Sequence, residues 1–301
     1  MAGAEGVWYN ATNSRVWRDK EGSDVSVRVV TDSAANIPAD LVAEHDIAVV
    51  PMYLKFGESV YQDGVDLPRG EFYPKLAREE VPVSTAAPSV GDYRDAFERA
   101  LDGADGVVCV TVASFVSVSF ESATAAAAEF GGRVRVVDSK SASMGEGWAA
   151  VEAARTAAHG ASLEESAAHA QEITERTQLC ATINTFEYLR RSGRVHALLA
   201  YAGTALNIKP VFALRGGKIE QLGRPRSRAR AVERLVEETR PLAARGPLHC
   251  AVAHADATGE ADALLERLRG ELPMAESLVT EFTPLMGAHT GPGVLAVAAW
   301  A

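Results

Sequence analysis

With 47% hydrophobic and 23% charged residues in a chain of 301, the composition is that of a folded globular protein, neither disordered nor fibrous, and the length suits two domains. The formal net charge of -10 would repel a polyphosphate backbone, which excludes a general nucleic-acid binder. No apolar run approaches the ~20 residues that span a bilayer, and no basic stretch followed by an apolar core opens the chain, so a cytoplasmic protein is expected.

Residues 1–24 are polar, carry scattered aromatics without a period, and read as a flexible tail or an extended translation start. The first strand is expected over 25–30, an alternating β-branched run that ends in Thr31-Asp32-Ser33. Asn36 is placed to cap the next helix, with Pro38 in its first turn and Leu41, Val42 and His45 at helical spacing. Residues 47–56 read as a second strand, Asp63-Gly64 as a turn, and a helix is expected from about Arg69. Strands follow over 106–112 and 133–138, divided by an alanine-rich helix over 119–130. This alternation predicts a parallel sheet covered on both faces, a three-layer α/β/α domain over 25–160.

Beyond Met144 the pattern changes. Helices are expected over 147–159 and 163–176, then shorter strands, with Gly216-Gly217 between two alternating runs as a hairpin signature. A helix over 229–244, a strand over 249–254, a helix over 260–272, a strand over 277–282 and a final run GVLAVAAW complete the chain. These give a second α/β domain over 161–301, a mixed sheet with helices segregated to one side. Cys109, Cys180 and Cys250 lie far apart in apolar strand-like runs and form no CxxC pair, as expected of core residues in a reducing compartment.

Three loops at strand ends are rich in hydroxyls: VTDS (30–33), STAAPS (84–89) and TVASFVSVS (111–119). Clustered hydroxyls and free N–H groups suit an oxyanion or carboxylate, although helix capping accounts for Ser89 and Ser119 equally well. In MGAHTGPG, His289 stands in an apparent glycine-rich loop with Gly287, Gly291 and Gly293, either as a ligand contact or as a structural histidine. FEYLRRSGRV ends a helix at Gly193, where Arg190, Arg191 and Arg194 complement the helix dipole or clamp an anion. RPRSRAR (224–230) is a basic island, either a solvated helix start or a docking patch. There is no P-loop, GxSxG elbow or HExxH, and His254 with Asp256 supplies too few ligands for a metal, so none is expected.

Taken in order, VTDSAANIP, FGESVYQDGVD, STAAPS, VDSKSASMG, FEYLRRSGRV, LNIKPVFALRGGKIE and GAHTGPG resemble the DegV family of bacterial fatty-acid-binding proteins from about Val25 to the C-terminus. The resemblance implies a two-domain DegV-like α/β fold that holds one long-chain fatty acid and no cofactor. It also implies, for members of the FakB type, delivery of that acid to a separate FakA-type, dihydroxyacetone-kinase-like kinase that makes acyl phosphate for phospholipid synthesis. Transient membrane contact belongs to the same expectation, and no catalysis would reside in this chain. Matched by motif, the carboxylate contacts would be Thr85, Ser117 and His289, supported by Asp32, Ser33, Ser114, Asn207, Gly287 and Thr290; Arg191, Arg194, Arg226 and Arg228 would face the partner. The chain departs from the family pattern in ASFVSVSFESA, where Val118 stands in place of a common glycine and Ala113 in place of a serine. Two other readings are an enzyme using His289 as general acid or base with Asp32 as its partner, and a lipid-sensing module that docks through RPRSRAR.

Overall fold

The computed structural model describes residues 26–67, 69–78, 83–192 and 208–301; the expected tail, Gly193, Arg194 and Asn207 lie outside the described residues. Strand β1 (Val27–Asp32) opens the fold, buried along almost its whole length. The Asp32 side chain accepts from Ala34 N and so caps a single 3-10 turn that follows. Asn36, at φ 52, ends that turn in the left-handed region. It therefore does not cap α1 (Ala39–Glu44), whose N-cap is Pro38; its amide donates instead to Ser33 O and Thr283 Oγ1.

The single strand expected over 47–56 is two. β2 (Ala48–Val50) pairs with β1, whereas β3 (Tyr53–Phe56) pairs with β4 (Ser59–Gln62) in another sheet. Pro51 lies at the break, where its missing N–H cannot serve a ladder. Helix α2 (Arg69–Arg78) leads to β5 (Val83–Ala86), so STAAPS is half strand where a loop was expected. Ser89 forms a capping box with Asp92 at the start of α3 (Val90–Ala100). Strand β6 (Gly106–Thr111), helix α4 (Ser119–Ala127) and strand β7 (Val134–Asp138) follow. The N-cap of α4 is Val118, so Ser119 begins this helix without capping it. Helices α5 (Met144–Ala158) and α6 (Leu163–Arg176) complete this part.

The parallel sheet has the order β2-β1-β6-β7, with α3 and α4 on one face and α5 and α6 on the other. Beside it stands a small antiparallel sheet, β4-β3-β5.

The rest of the chain builds β8 (Gln178–Thr182), α7 (Glu187–Arg191), β9 (Val211–Arg215), β10 (Lys218–Gly223), α8 (Arg228–Thr239) and β11 (Leu248–His254). After these come α9 (Thr258–Glu271), β12 (Met274–Glu281), α10 (Pro284–Thr290) and β13 (Leu295–Trp300). Gly216 and Gly217, at φ 58 and 72, make the expected two-residue hairpin between β9 and β10. The six-stranded sheet runs β10-β9-β8-β13-β11-β12, and only β11 and β12 pair in parallel.

Helices α8 and α9 cover one face of this sheet, while α5 packs on the strands of the other. A continuous apolar core therefore joins the sheets, taking in Val110 of β6, Trp148 of α5, and Ala181 and Ala298 of the larger sheet. Trp148, 0% exposed, donates its indole N–H to Ala298 O at 3.2 Å and so satisfies its one polar atom. All three cysteines are free and buried on strands.

Candidate functional site: an apolar pocket between the sheets

Alternation along the strands of the larger sheet sends two kinds of residue to opposite faces. Cys180, Ala213 and Val297 join the core under α8 and α9. Their neighbours make a floor on the other face, in cross-strand register: Ala296 beside Ala181 beside Phe212, and Leu179 beside Leu214 beside Ile219. Alanine at 181 and 296 leaves empty the space that a β-branched residue would fill. Above this floor lie Ala34, Val112, Val116 and Ala142, which follow β1, β6 and β7 at the carboxyl ends of the parallel sheet, where ligands of α/β sheets bind. Leu285 and Met286 of α10 and Leu189 of α7 close the sides. About 960 Å³ free of protein atoms lies within the pocket and across its mouth, open solvent included.

Thr85, Ser117, His289 and Thr290 interrupt the apolar lining. Thr85 Oγ1 lies 3.0 Å from His289 Nε2. Ser117 Oγ lies 2.9 Å from Ser119 Oγ. Thr290 Oγ1 donates to Met286 O at 2.8 Å within its own helix. The structure thus brings Thr85 of β5, Ser117 of the segment between β6 and α4, and His289 of α10 into the lining of one pocket. His289 is not in a loop, however: it occupies the last turn of α10, which begins with Pro284 and whose Leu285 N–H donates to Asp63 Oδ1 at 2.9 Å. Gly287 lets that helix seat closely, because a Cβ there would stand 2.7 Å from Tyr73 Oη and 2.8 Å from Phe72 Cε1.

The other expected supporting residues act behind the lining. Asp32, fully buried, accepts from Ala34 N at 3.0 Å and Val112 N at 3.1 Å, and so ties together two backbone segments that line the pocket. Burial pushes its carboxyl up to about 6. Ser33 Oγ accepts from Met52 N at 3.1 Å, latching the chain where β2 gives way to β3. Ser114 is committed to Asp138, through its N–H at 3.2 Å and its hydroxyl at 2.6 Å.

The basic residues stand apart from the lining. Exposed Arg191 pairs with Glu187 at 2.8 Å, Arg226 is exposed, and Arg228 pairs with Glu260 at 2.7 Å. His254 Nδ1 accepts from Ala257 N at 3.4 Å. Among the described residues no group of three or more His, Cys, Asp or Glu could hold a metal, and no helix is long and apolar enough to cross a membrane.

Two parts of the site escaped the sequence reading. One is the pocket floor, whose signal was alanine in strands, a residue depleted there. The other is Glu146, 0% exposed on the first turn of α5, whose carboxyl burial holds well above the usual carboxylate range.

A family model described as "Uncharacterised protein, DegV family" matches residues 26–301. A DegV domain-containing protein of Streptomyces coelicolor is 36% identical over 273 residues, which cover 90% of this chain and 97% of that one. A fatty-acid-binding DegV family protein from Thermus thermophilus has a structure matching this one with a TM-score of 0.86 at 32% identity, over 92% of this chain and all (100%) of the other. For DegV, a fatty acid binding protein from Bacillus subtilis, the TM-score is 0.84 at 27% identity, over 92% and 99% of the two chains.

Proposed function

The chain belongs to the DegV family, and from that membership we propose that it binds one long-chain fatty acid in the pocket between its sheets and presents the carboxylate to a separate kinase. The observation that carries this reading is the Thr85–His289 pair, 3.0 Å apart, on the wall of a pocket lined mainly by apolar side chains. An acyl chain gains roughly 0.8 kcal/mol for each buried CH2, so some fifteen methylenes supply on the order of 12 kcal/mol before the costs of ordering. Its carboxylate requires donors, since without them burial would raise its pKa or expel it. The Thr85 and Ser117 hydroxyls and the His289 imidazole are the groups that would serve. Each is half-buried, which suits a headgroup that has to meet a second protein.

In this reading the chain performs no chemistry. The kinase, of the FakA type, would supply the phosphoryl transfer, and Arg191 and Arg226, both exposed, are the residues that would face it. Fatty-acid binding by its relatives supports the first half of the proposal, and the exposed arginines support the second. Asp32, the suggested partner of His289 in a catalytic pair, is committed to Ala34, Val112 and Tyr93.

Titration of delipidated protein with palmitate and oleate tests binding, with one equivalent taken up as the expected result. Acyl-phosphate formation from ATP should need both this chain and the kinase, and should fall in Arg191→Glu and Arg226→Glu without loss of fatty-acid binding. Turnover by the chain alone would overturn the carrier reading.

A further inference from the structure

Two carboxyl groups lie buried behind the pocket, and only one of them holds backbone that lines it. Asp32 at the end of β1 and Glu146 on the first turn of α5 are both 0% exposed, and their carboxyls meet. The groups facing the pair are Thr31 on β1, Tyr93 on α3 and Cys109 on β6, none of them cationic.

The two acids are served unequally. Asp32 accepts two backbone N–H groups and the Tyr93 hydroxyl. Glu146 accepts from Thr31 Oγ1 at 2.9 Å to Oε1 and has the Asp32 backbone N–H beside it, while its buried Oε2 has no hydrogen-bond partner among the described residues. Two ionised carboxylates cannot share a dry site without a counter-charge. The charge belongs on the acid with more donors, and an orphan oxygen against a carboxylate is satisfied by carrying a proton.

We propose that Glu146 is a carboxylic acid in the native protein, that its O–H donates to Asp32, and that it acts in this way as a positioning residue for the pocket wall. Asp32, kept as an acceptor, then holds the Ala34 and Val112 N–H groups, and both of these residues line the pocket. Burial, the largest influence on each acid, raises both carboxyls, Asp32 to about 6 and Glu146 well above the usual range. The N-terminus of α5 favours an anion at Glu146, but it is one turn of a helix acting against the burial of a second charge.

Protonation of this kind has a signature that packing alone lacks. The native state holds a proton that the unfolded chain releases at about pH 4.3, so its contribution to stability is complete below that pH and is lost as pH rises towards the native pKa. From the unfolded value up to the raised native one, the unfolding constant of the unmodified protein should rise with pH, by as much as tenfold (about 1.4 kcal/mol) per pH unit, relative to Glu146→Gln, which keeps a donor but no titrating proton. Parallel pH profiles for the two proteins would overturn the proposal.

Fatty-acid binding supplies a second arm, which rests on the proposed function: Glu146→Gln should retain it and Glu146→Ala should lose at least tenfold. The unfolding arm needs no ligand, so failure of the fatty-acid reading would leave it standing. If Glu146→Gln does not fold, infrared spectroscopy of the unmodified protein at neutral pH decides the matter. A carboxylic-acid C=O band is expected, and its absence would overturn the assignment.

Discussion

Thr85 and His289 stand 204 residues apart in the chain and 3.0 Å apart in the fold, and the headgroup proposal rests on that meeting. A hydrogen bond to a charged group contributes about 1.5–3 kcal/mol, so Thr85→Val and His289→Ala should each weaken fatty-acid binding by roughly 10- to 150-fold with little change in melting temperature. Titration with oleate measures it, and full affinity in both variants would remove these residues from the site. Gly287→Ala tests the seat of α10: Tyr73 and Phe72 must give way to the new Cβ, at a cost of about 1–3 kcal/mol seen in denaturant unfolding. Hydroxyls and a lone histidine stand out in an apolar sequence, which is why Thr85, Ser117 and His289 were legible there. Glu146 was not, because nothing in GEGW distinguishes an acid that will be buried from one that will face water; burial arises only when α5 packs on β1.

At the scale of elements, the strands of the parallel sheet and the Gly216-Gly217 hairpin were legible because β-branched alternation and paired glycines act locally. The antiparallel β4-β3-β5 sheet was hidden by the largely apolar run over 47–56, in which Pro51 was the unused signal. GAHTGPG looked like a loop because its glycines outweighed Pro284, which starts α10. The pocket floor was illegible for another reason: Ala181 and Ala296 are adjacent only through strand pairing. Ala181→Phe should fill that space, reducing oleate affinity more than tenfold while changing stability by no more than about 1–3 kcal/mol. Unaltered oleate uptake, read by the same titration, would place the acyl chain elsewhere.

Over the whole molecule, α5 is the piece that joins the sheets. Trp148 reaches Ala298, and Arg155 grips Glu276 of β12 at 2.8 and 3.0 Å. The Arg155 guanidinium holds the Glu276 carboxyl below its usual value. The sign follows: this contact contributes stability above the unfolded carboxylate pKa and loses it as pH falls through the lower native value. Glu276→Gln should therefore cost about 1.5–3 kcal/mol at neutral pH and progressively less in acid, as read by denaturant unfolding at several pH values. An equal cost at every pH would show that packing, not charge, holds the sheets there.

The pocket lies between the sheets that α5 joins, so the central claim concerns what occupies it. Denaturing extraction of the purified protein, with mass spectrometry of the released small molecules, tests that claim most directly. The account predicts about one equivalent of long-chain fatty acid per chain, reduced in Ala181→Phe. A protein that releases no lipid, and takes up none when fatty acid is added, would contradict it.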